Sequence, residues 1–395
     1  MRATMRRSNR PPLSVLIAIS MLQPFALNVL APATPALARS LATDYATVQL
    51  TLTVYLVTVA LSQLVVGPIS DKVGRRPCIL AGAALFALGS LLGALAQEIT
   101  LLLVARAVQA AGGGTCFALS RAVVRDTASK DESASLLGYL ASVMVLAPMV
   151  APLIGGFLDA EFGWRSIFWA CVVFSLVVIA GSVAFLSETA PRTQSSGLYA
   201  LIRGYPDLLR DRVFLGHALA LAFTSASFFA FIAGAPYVVV EHMGREPDVY
   251  GFFFMLNAIG YMVGNFVSGR FGQRLGSERL ARIGIVLSVV SVLLEAVCLL
   301  VLPWTPATLF VPLALNAVGN GMTIPGGTAS ALSVRPDFAG AAAGLVGATQ
   351  LGFGAIASIL VGYLVPIWPA ALVAVMLALV LTGWASLSLL PRARA

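Results

Sequence analysis

Residues 67–77 read GPISDKVGRRP, a short polar stretch that connects two long apolar blocks. Its glycines, Gly67 and Gly74, let the chain turn tightly and let helices approach one another closely. Asp71 is the only acid in this basic stretch, so it is placed to accept hydrogen bonds from an arginine or from a neighbouring helix N-terminus. The competing interpretation is a plain hairpin whose basic residues only set the orientation of the flanking helices.

The composition of the whole chain indicates a membrane protein. Of the 395 residues, 59% are hydrophobic and 11% are charged, whereas a soluble protein has about 25% charged residues. Apolar blocks of roughly 20 residues match a helix that crosses about 30 Å of hydrocarbon. We predict twelve such spans: 13–37, 48–68, 78–96, 100–123, 135–158, 163–187, 213–239, 248–270, 282–302, 306–331, 341–364 and 366–390.

The distribution of positive charge predicts the orientation of these spans. Of the 25 lysines and arginines, 21 fall on the side of the N-terminus, three (Arg39, Arg165 and Arg245) fall on the opposite side, and Arg106 lies within a span. This asymmetry places both termini in the cytoplasm of a bacterial cell, in a multi-pass protein of the inner membrane. The net charge of +8 therefore sets topology, and we expect a lipid bilayer rather than nucleic acid as the partner.

A polar interval divides the spans six and six, and the two halves share a pattern. Residues 269–276, after the eighth span, have glycine at the first and last positions, as residues 67–74 do after the second. We therefore predict an all-α membrane fold of twelve transmembrane helices in two pseudo-symmetric bundles, with a substrate site between them near the midplane. The predicted N-terminal bundle, cytoplasmic linker and C-terminal bundle are 1–187, 188–212 and 213–395.

Charged residues inside predicted spans are the first candidates for function, because they are costly in a membrane and usually face a cavity or a partner. Arg106 lies in the fourth span, and Gln109 follows three residues later on the same helix face. The alternative is that Arg106, about two turns from the helix start, extends to the membrane interface. Glu295 is the acid that lies well inside a span, so we predict that it couples protons, unless it faces a loop.

Polar and proline residues in other spans extend the candidate site. The polar candidates for binding substrate are Asn28, Tyr55, Asn257, Tyr261 and Asn316. Each of them can instead hydrogen-bond between helices. In the fifth span, prolines and glycines at spacings of four form one helix face, which indicates a kink beside protein or a cavity, or merely a bent helix. These residues are Pro148, Pro152, Gly155 and Gly156.

Together these motifs resemble the major facilitator superfamily. Residues 67–77 are similar to its signature loop between helices two and three, and the fifth span resembles the antiporter motif of its exporters. Further stretches resemble the Bcr/CflA group of drug:proton antiporters; they are 49–52, 121–126, 231–237, 250–254 and 340–354. The resemblance implies a gating role for the loop and the fifth span, through Gly67, Asp71, Gly74, Arg75, Arg76, Arg125, Pro148, Pro152, Gly155 and Gly156.

One position departs from the group. Its members carry a proton-titrating aspartate in helix one, where this chain has Asn28. An amide does not titrate, so another acid couples protons, or this residue was altered, or the protein is not proton-coupled. If Arg106 meets Asn28, the cavity holds a cation without its usual counter-ion, which favours acidic or zwitterionic cargo or weak proton coupling.

The resulting functional prediction is a secondary active exporter of small amphipathic drug-like compounds, in exchange for protons, acting as a monomer. The alternative is export of an endogenous metabolite such as a sugar, amino acid or nucleoside. A non-transporting receptor or scaffold, the third class, predicts soluble sensory domains or long tails. The sequence has no phosphate-binding GxxxxGK[ST] motif, no hydrolytic triad and no metal-ligand spacing among its four cysteines. We therefore expect no enzyme activity, no cofactor and no metal.

Overall fold

The computed structural model describes residues 11–128, 132, 136, 140, 146–189, 205–335 and 338–388. Within these residues the chain is helical and contains no strand. Its fourteen α-helices are α1 Leu13–Val29, α2 Thr34–Ser40, α3 Tyr45–Val73, α4 Arg75–Ala94, α5 Ile99–Thr127, α6 Leu146–Phe162, α7 Arg165–Phe185, α8 Tyr205–Arg210, α9 Arg212–Tyr237, α10 Pro247–Leu275, α11 Ser277–Val301, α12 Pro306–Val334, α13 Ala339–Leu364 and α14 Ala371–Ser388.

The predicted all-α membrane fold is confirmed. In the described part of the chain, eleven helices are long and apolar enough to cross a membrane, with α1 and α2 forming one continuous span. The fifth predicted span, 135–158, falls partly outside the described residues, and α6 is its described portion. Together with the other eleven, α6 fits the predicted count of twelve.

The first span is broken, although its apolar sequence predicted one continuous helix. A short 3₁₀ segment, Ala31–Ala33, separates α1 from α2. Pro32 and Pro35 lack the backbone N–H that would continue the helix, and the hydroxyl of Thr34 donates to the Ala31 carbonyl oxygen at 2.8 Å. The break interrupts the first span at residues that are all buried, Ala31, Pro32 and Ala33.

The loop predicted at 67–77 is almost entirely helical. Helix α3 continues through the first of its two glycines to Val73, and only Gly74, with φ at +113°, separates α3 from α4. The same geometry recurs between α10 and α11, where Gly276 has φ at +80°. Glycine tolerates this left-handed conformation because it has no Cβ. The prediction of a tight turn thus holds for the second glycine of each repeat.

The helices pack as two groups with the same internal arrangement. In the first, α5 packs against α1, α3 and α4; in the second, α12 packs against α9, α10 and α11. Likewise α1 packs against α6 and α7, and α9 against α13 and α14. The main helix pairs between the groups are α3 with α13 and α6 with α10. The exact domain boundaries stay a prediction.

The groups contact each other mainly at one end, which we call the Asp44 side after the residue that begins α3. There, a Cβ atom on Gly156 would lie 2.7 Å from the Pro247 carbonyl oxygen, and one on Gly362 would lie 2.7 Å from the Gln49 side chain. Eight of the ten buried residues of α3 lie between Tyr45 and Val59, in the half nearest this side. Within the described residues, the opposite end, the Arg75 side, is therefore the more open one.

Candidate functional site

Arg106 of α5 is the centre of the site. Its side chain is only 2% exposed, so the alternative in which it extends to the interface is wrong. Its Nη1 donates to the Ala26 carbonyl oxygen of α1 at 3.1 Å and to Gln109 Oε1 at 2.6 Å. The guanidinium also lies 4.1 Å from the centroid of the Tyr55 ring, a cation–π arrangement. The structure thus brings three predicted site residues together against the first span.

Gln109 and Tyr55 hold Arg106 through partners that the sequence did not indicate. The Gln109 amide nitrogen donates to the Ser90 hydroxyl of α4 at 2.9 Å, and its amide oxygen accepts from Arg106. The Tyr55 hydroxyl donates to the Gln23 carbonyl oxygen of α1 at 3.0 Å. With these bonds made, both side chains fix the position of Arg106 in this conformation.

Asn28 is buried on α1, two residues from Ala26, and is not bonded to Arg106. Its amide nitrogen donates to the Pro24 carbonyl oxygen at 2.7 Å, one turn earlier on α1. Its amide oxygen has no partner among the described residues. The sequence left open a contact between Arg106 and Asn28, but in the structure Arg106 donates to the Ala26 carbonyl oxygen instead. Back-bonding within a helix is a common alternative for asparagine.

A small cavity lies beside Arg106 at the break in the first span. It is lined by the break itself, by Gln49, Thr51 and Leu52 of α3, by Arg106 and by Ile232 of α9. Gln49 is 1% exposed, and neither polar atom of its amide has a partner in the described part of the chain. In the sequence Gln49 contributed only to the family resemblance, although the signal that could have identified it was an amide in a mostly apolar membrane span.

The candidates in the second group lie apart from Arg106. Asn257 of α10 and Asn316 of α12 are 4% and 2% exposed, and Tyr261 is half-buried. The Tyr261 carbonyl oxygen accepts from the amide of Asn265 at 2.9 Å. No hydrogen bond within the described ranges joins Asn257, Tyr261 or Asn316 to the Arg106 group. Their role in binding stays a prediction.

Glu295 is fully buried on α11, so the alternative in which it faces a loop is wrong. Neither of its carboxyl oxygens has a hydrogen-bond partner among the described residues. Helix α11 packs mainly against α12 and α14, which places Glu295 within the second group of helices. The structure therefore does not pair it with Arg106.

On the Arg75 side, Arg75 is the centre of an ionic cluster. It is paired with Asp71 at 2.6 Å and with Asp126 of α5 at 2.9 Å, and it donates to the hydroxyl of Ser70. Its backbone N–H, at the start of α4, donates to Glu188 Oε1 at 2.7 Å. The sequence predicted that Asp71 would accept from an arginine or from a neighbouring helix N-terminus, and the ion pair with Arg75 agrees with this. The structure adds Asp126 and Glu188, which come from distant positions that the local pattern does not contain.

The other predicted gating residues differ in their surroundings. Arg76 Nη2 donates to the Val183 carbonyl oxygen at 3.1 Å, and Arg125 is exposed on α5. A Cβ on Gly67 would meet nothing within 4 Å, so the close helix approach predicted for it is absent in this conformation. A Cβ on Gly74 would instead touch Glu188.

The predicted proline and glycine face of the fifth span packs closely on the Asp44 side. A Cβ on Gly155 would overlap the Val29 carbonyl oxygen at the end of α1. Pro152 lies inside α6, and its carbonyl oxygen would be 2.6 Å from a Cβ on Gly251 of α10. Pro148 is half-buried. Helix α6 thus joins the break in the first span to the second group.

Polar contacts reinforce closure at the same side. Tyr45 donates from its hydroxyl to the Ala233 carbonyl oxygen of α9 at 2.6 Å. Arg39 and Glu241 form an exposed ion pair. Asp44 caps α3 by accepting a hydrogen bond from the backbone N–H of Thr47 at 2.7 Å. Hydrogen bonds from Thr47 lower the pKa of the Asp44 carboxyl.

Comparisons with known proteins agree with this architecture. The family model of the Major Facilitator Superfamily matches residues 16–246 and 218–395. The chain is 31% identical to a bicyclomycin resistance protein homolog of Haemophilus influenzae, over 87% of this chain and 86% of that one. It is also 31% identical to multidrug resistance protein D of Escherichia coli, over 90% and 89%.

A solved structure of low sequence identity has the same fold. It is a bacterial homolog of the human lysosomal transporter Spinster, in an inward-facing and unoccupied conformation. The TM-score is 0.69 at 15% identity, over 95% of this chain and 93% of the other.

Proposed function

The chain belongs to the major facilitator superfamily, and on that premise we propose that it exports small amphipathic drug-like compounds by alternating access. Relatives named for bicyclomycin and multidrug resistance span most of the chain and support this class of cargo. As a multi-pass membrane protein with bacterial relatives, it acts in the inner membrane as a monomer, with both termini in the cytoplasm. The excess of basic residues on the side of the N-terminus supports this orientation.

The observation that carries the proposal is the one-sided closure around a buried polar site. Contacts between the two groups of helices concentrate on the Asp44 side, whereas Gly67 and Gly269 on the Arg75 side face open space. With the Arg75 side in the cytoplasm, this arrangement is an inward-facing state that admits cargo from the cytoplasm. Movement of the groups about the Arg106 site would then expose it to the other side.

In this cycle the ionic cluster of Arg75 acts as part of the gate on the cytoplasmic side. The partners of Asp71 and Arg75 described here all lie within the first group of helices. That pattern fits a gate that is open in the present conformation. We assign the cargo site to the Arg106 group, with Asn257, Tyr261 and Asn316 as the wall that the second group adds when the gate closes.

Proton exchange is the energy source that we assign to the cycle. Asn28 does not titrate, so the proton passes through a different group. Glu295 fits this role because a carboxyl without partners in an apolar interior is stable only when its charge is removed by a proton. Its place in the second group implies that protonation acts through packing of α11 on α12 and not through contact with Arg106.

The test is a susceptibility panel in an efflux-deficient host that expresses this chain. The panel contains cationic, neutral and anionic amphipathic compounds. Susceptibility of cells that express the unmodified chain is compared with that of cells that express the Arg106→Ala variant at equal membrane abundance. Reduced susceptibility to at least one compound, lost in the variant, is the expected result. If no compound is affected while sugars, amino acids or nucleosides accumulate outside the cells, the protein exports an endogenous metabolite and the drug-export proposal is wrong.

A further inference from the structure

The cavity beside Arg106 contains polar atoms without hydrogen-bond partners in the described part of the chain. These are both polar atoms of the Gln49 amide and the Nε atom of Arg106. The Tyr45 hydroxyl lies one turn from Gln49 and near its amide, but it donates to the Ala233 carbonyl oxygen, and its contact with Gln49 does not meet hydrogen-bond geometry. Since Gln49 and Arg106 line the same cavity, one hydrogen-bond acceptor can satisfy the two donors, Gln49 Nε2 and Arg106 Nε, while Gln49 Oε1 is itself an acceptor and stays outside this bond.

The charge around the cavity favours an anion. Arginine keeps its positive charge in proteins. The groups around Arg106 are the Ala26 carbonyl, the Gln109 amide oxygen and the Tyr55 ring, which carry only partial negative charge. No carboxylate among the described residues pairs with Arg106. A buried cation is stable when an opposite charge compensates it, and a bound anion would supply that charge.

The size of the cavity limits which anion fits. Its volume is about 10 Å³, close to the smallest volume that holds one water molecule. A single small ion such as a halide, or one oxygen atom of a carboxylate, is of this size, whereas an entire drug-like molecule is not. The guanidinium and carboxamide N–H groups are suitable donors for a carboxylate. The cavity is therefore an anchor for one charged group.

We propose that this cavity is a subsite for a monovalent anion, held by Arg106 and Gln49, which is either the carboxylate of a cargo molecule or a free halide. The inference deepens the proposed function by naming a chemical group that the site takes, and in the carboxylate case it rests on that function. Ile232 is the contribution of α9 to the lining.

The experiment measures anion binding on the purified full-length protein in lipid nanodiscs. The melting temperature is recorded while sodium chloride, formate or benzoate replaces sodium isethionate, a bulkier salt, at constant ionic strength. The variants are Gln49→Leu, which removes both amide groups, and Gln49→Glu, which supplies a resident anion. Gln63→Leu makes the same change on α3 outside the cavity lining and is the matched control.

We expect a saturable rise in melting temperature for the unmodified protein and for Gln63→Leu. Loss of one charge-assisted hydrogen bond in Gln49→Leu should weaken the apparent affinity about tenfold or more. In Gln49→Glu the dependence on added anion should disappear, because the carboxylate takes the place of the ligand. A variant that fails to fold leaves the other variant and the anion series on the unmodified protein as tests.

The choice of anion separates the two sources. Equal rises in melting temperature with chloride and with formate indicate a free halide or other small anion. A rise with formate and with benzoate, but none with chloride, indicates a cargo carboxylate. The absence of any saturable effect, or equal weakening in Gln63→Leu and Gln49→Leu, overturns the proposal and indicates that water fills the cavity. The titration involves no transport, so its result is independent of the susceptibility panel. If the protein binds the anion but exports no drug, only the proposed function is contradicted.

Discussion

Replacement of Tyr45 by phenylalanine tests what holds the Asp44 side closed. The Tyr45 hydroxyl joins α3 to α9 through a buried bond of 2.6 Å to the Ala233 carbonyl oxygen. Phenylalanine keeps the edge-to-face packing on Tyr237, whose ring centroid is 4.9 Å away, and removes only the hydroxyl. One hydrogen bond contributes about 0.5–1.5 kcal/mol net. The ratio of Asp44-open to Asp44-closed molecules should therefore rise about two- to tenfold.

The ion pair between Arg39 and Glu241 spans the same side but should matter less. Its side chains are 58% and 35% exposed, and exposed ion pairs contribute about 0–1 kcal/mol. Salt screens such a pair. Glu241→Gln should therefore open this side less than Tyr45→Phe does, and its effect should vanish at high salt, whereas the effect of Tyr45→Phe should persist.

Pulsed EPR between spin labels on the exposed residues Glu98 and Arg245 measures the separation of the two groups on this side. The four native cysteines, all of them unpaired, are first replaced. Tyr363→Phe, which removes a hydroxyl from an exposed tyrosine of α13, is the matched control. An unchanged distance distribution in Tyr45→Phe, or a larger shift in Glu241→Gln that survives about 0.5 M salt, would refute the reasoning.

Three further substitutions test the site. Arg106→Ala should insert at normal abundance but lose export, as measured by membrane immunoblot and dye efflux; wild-type efflux would remove Arg106 from the mechanism. Gly156→Leu places side-chain atoms against the Pro247 carbonyl oxygen of α10, so closure of the Asp44 side should weaken by about 1–3 kcal/mol, seen as faster labelling of cysteines on that side; the same labelling rate in Gly156→Leu and in Gly352→Leu, where a Cβ would meet nothing within 4 Å, would contradict this. Asn28→Asp adds a titratable carboxyl to α1, two residues from the Ala26 carbonyl that Arg106 contacts, so efflux should depend more strongly on the pH gradient; identical sensitivity to a protonophore would make Asn28 a bystander.

The number and positions of the membrane spans followed from sequence alone, because hydropathy and the length of a helix are local properties. The same holds for the recognition of Arg106, since a charge within an apolar span is unusual wherever the span lies in the fold. The repeated glycines Gly74 and Gly276 also lie at helix boundaries, although the predicted spans ended earlier, at 68 and 270. In each case the decisive residues lie within one helix or one turn.

What the sequence did not contain is which helix faces meet. Lipid and the protein interior are both apolar, so the periodicity that marks the buried face of a soluble helix is absent in a membrane helix. Only tertiary packing placed Gln49 beside Arg106 and brought Asp126 and Glu188 to Arg75. Arg75 is separated from Asp126 by 51 positions and from Glu188 by 113, and such approaches depend on how the helices are rotated against one another.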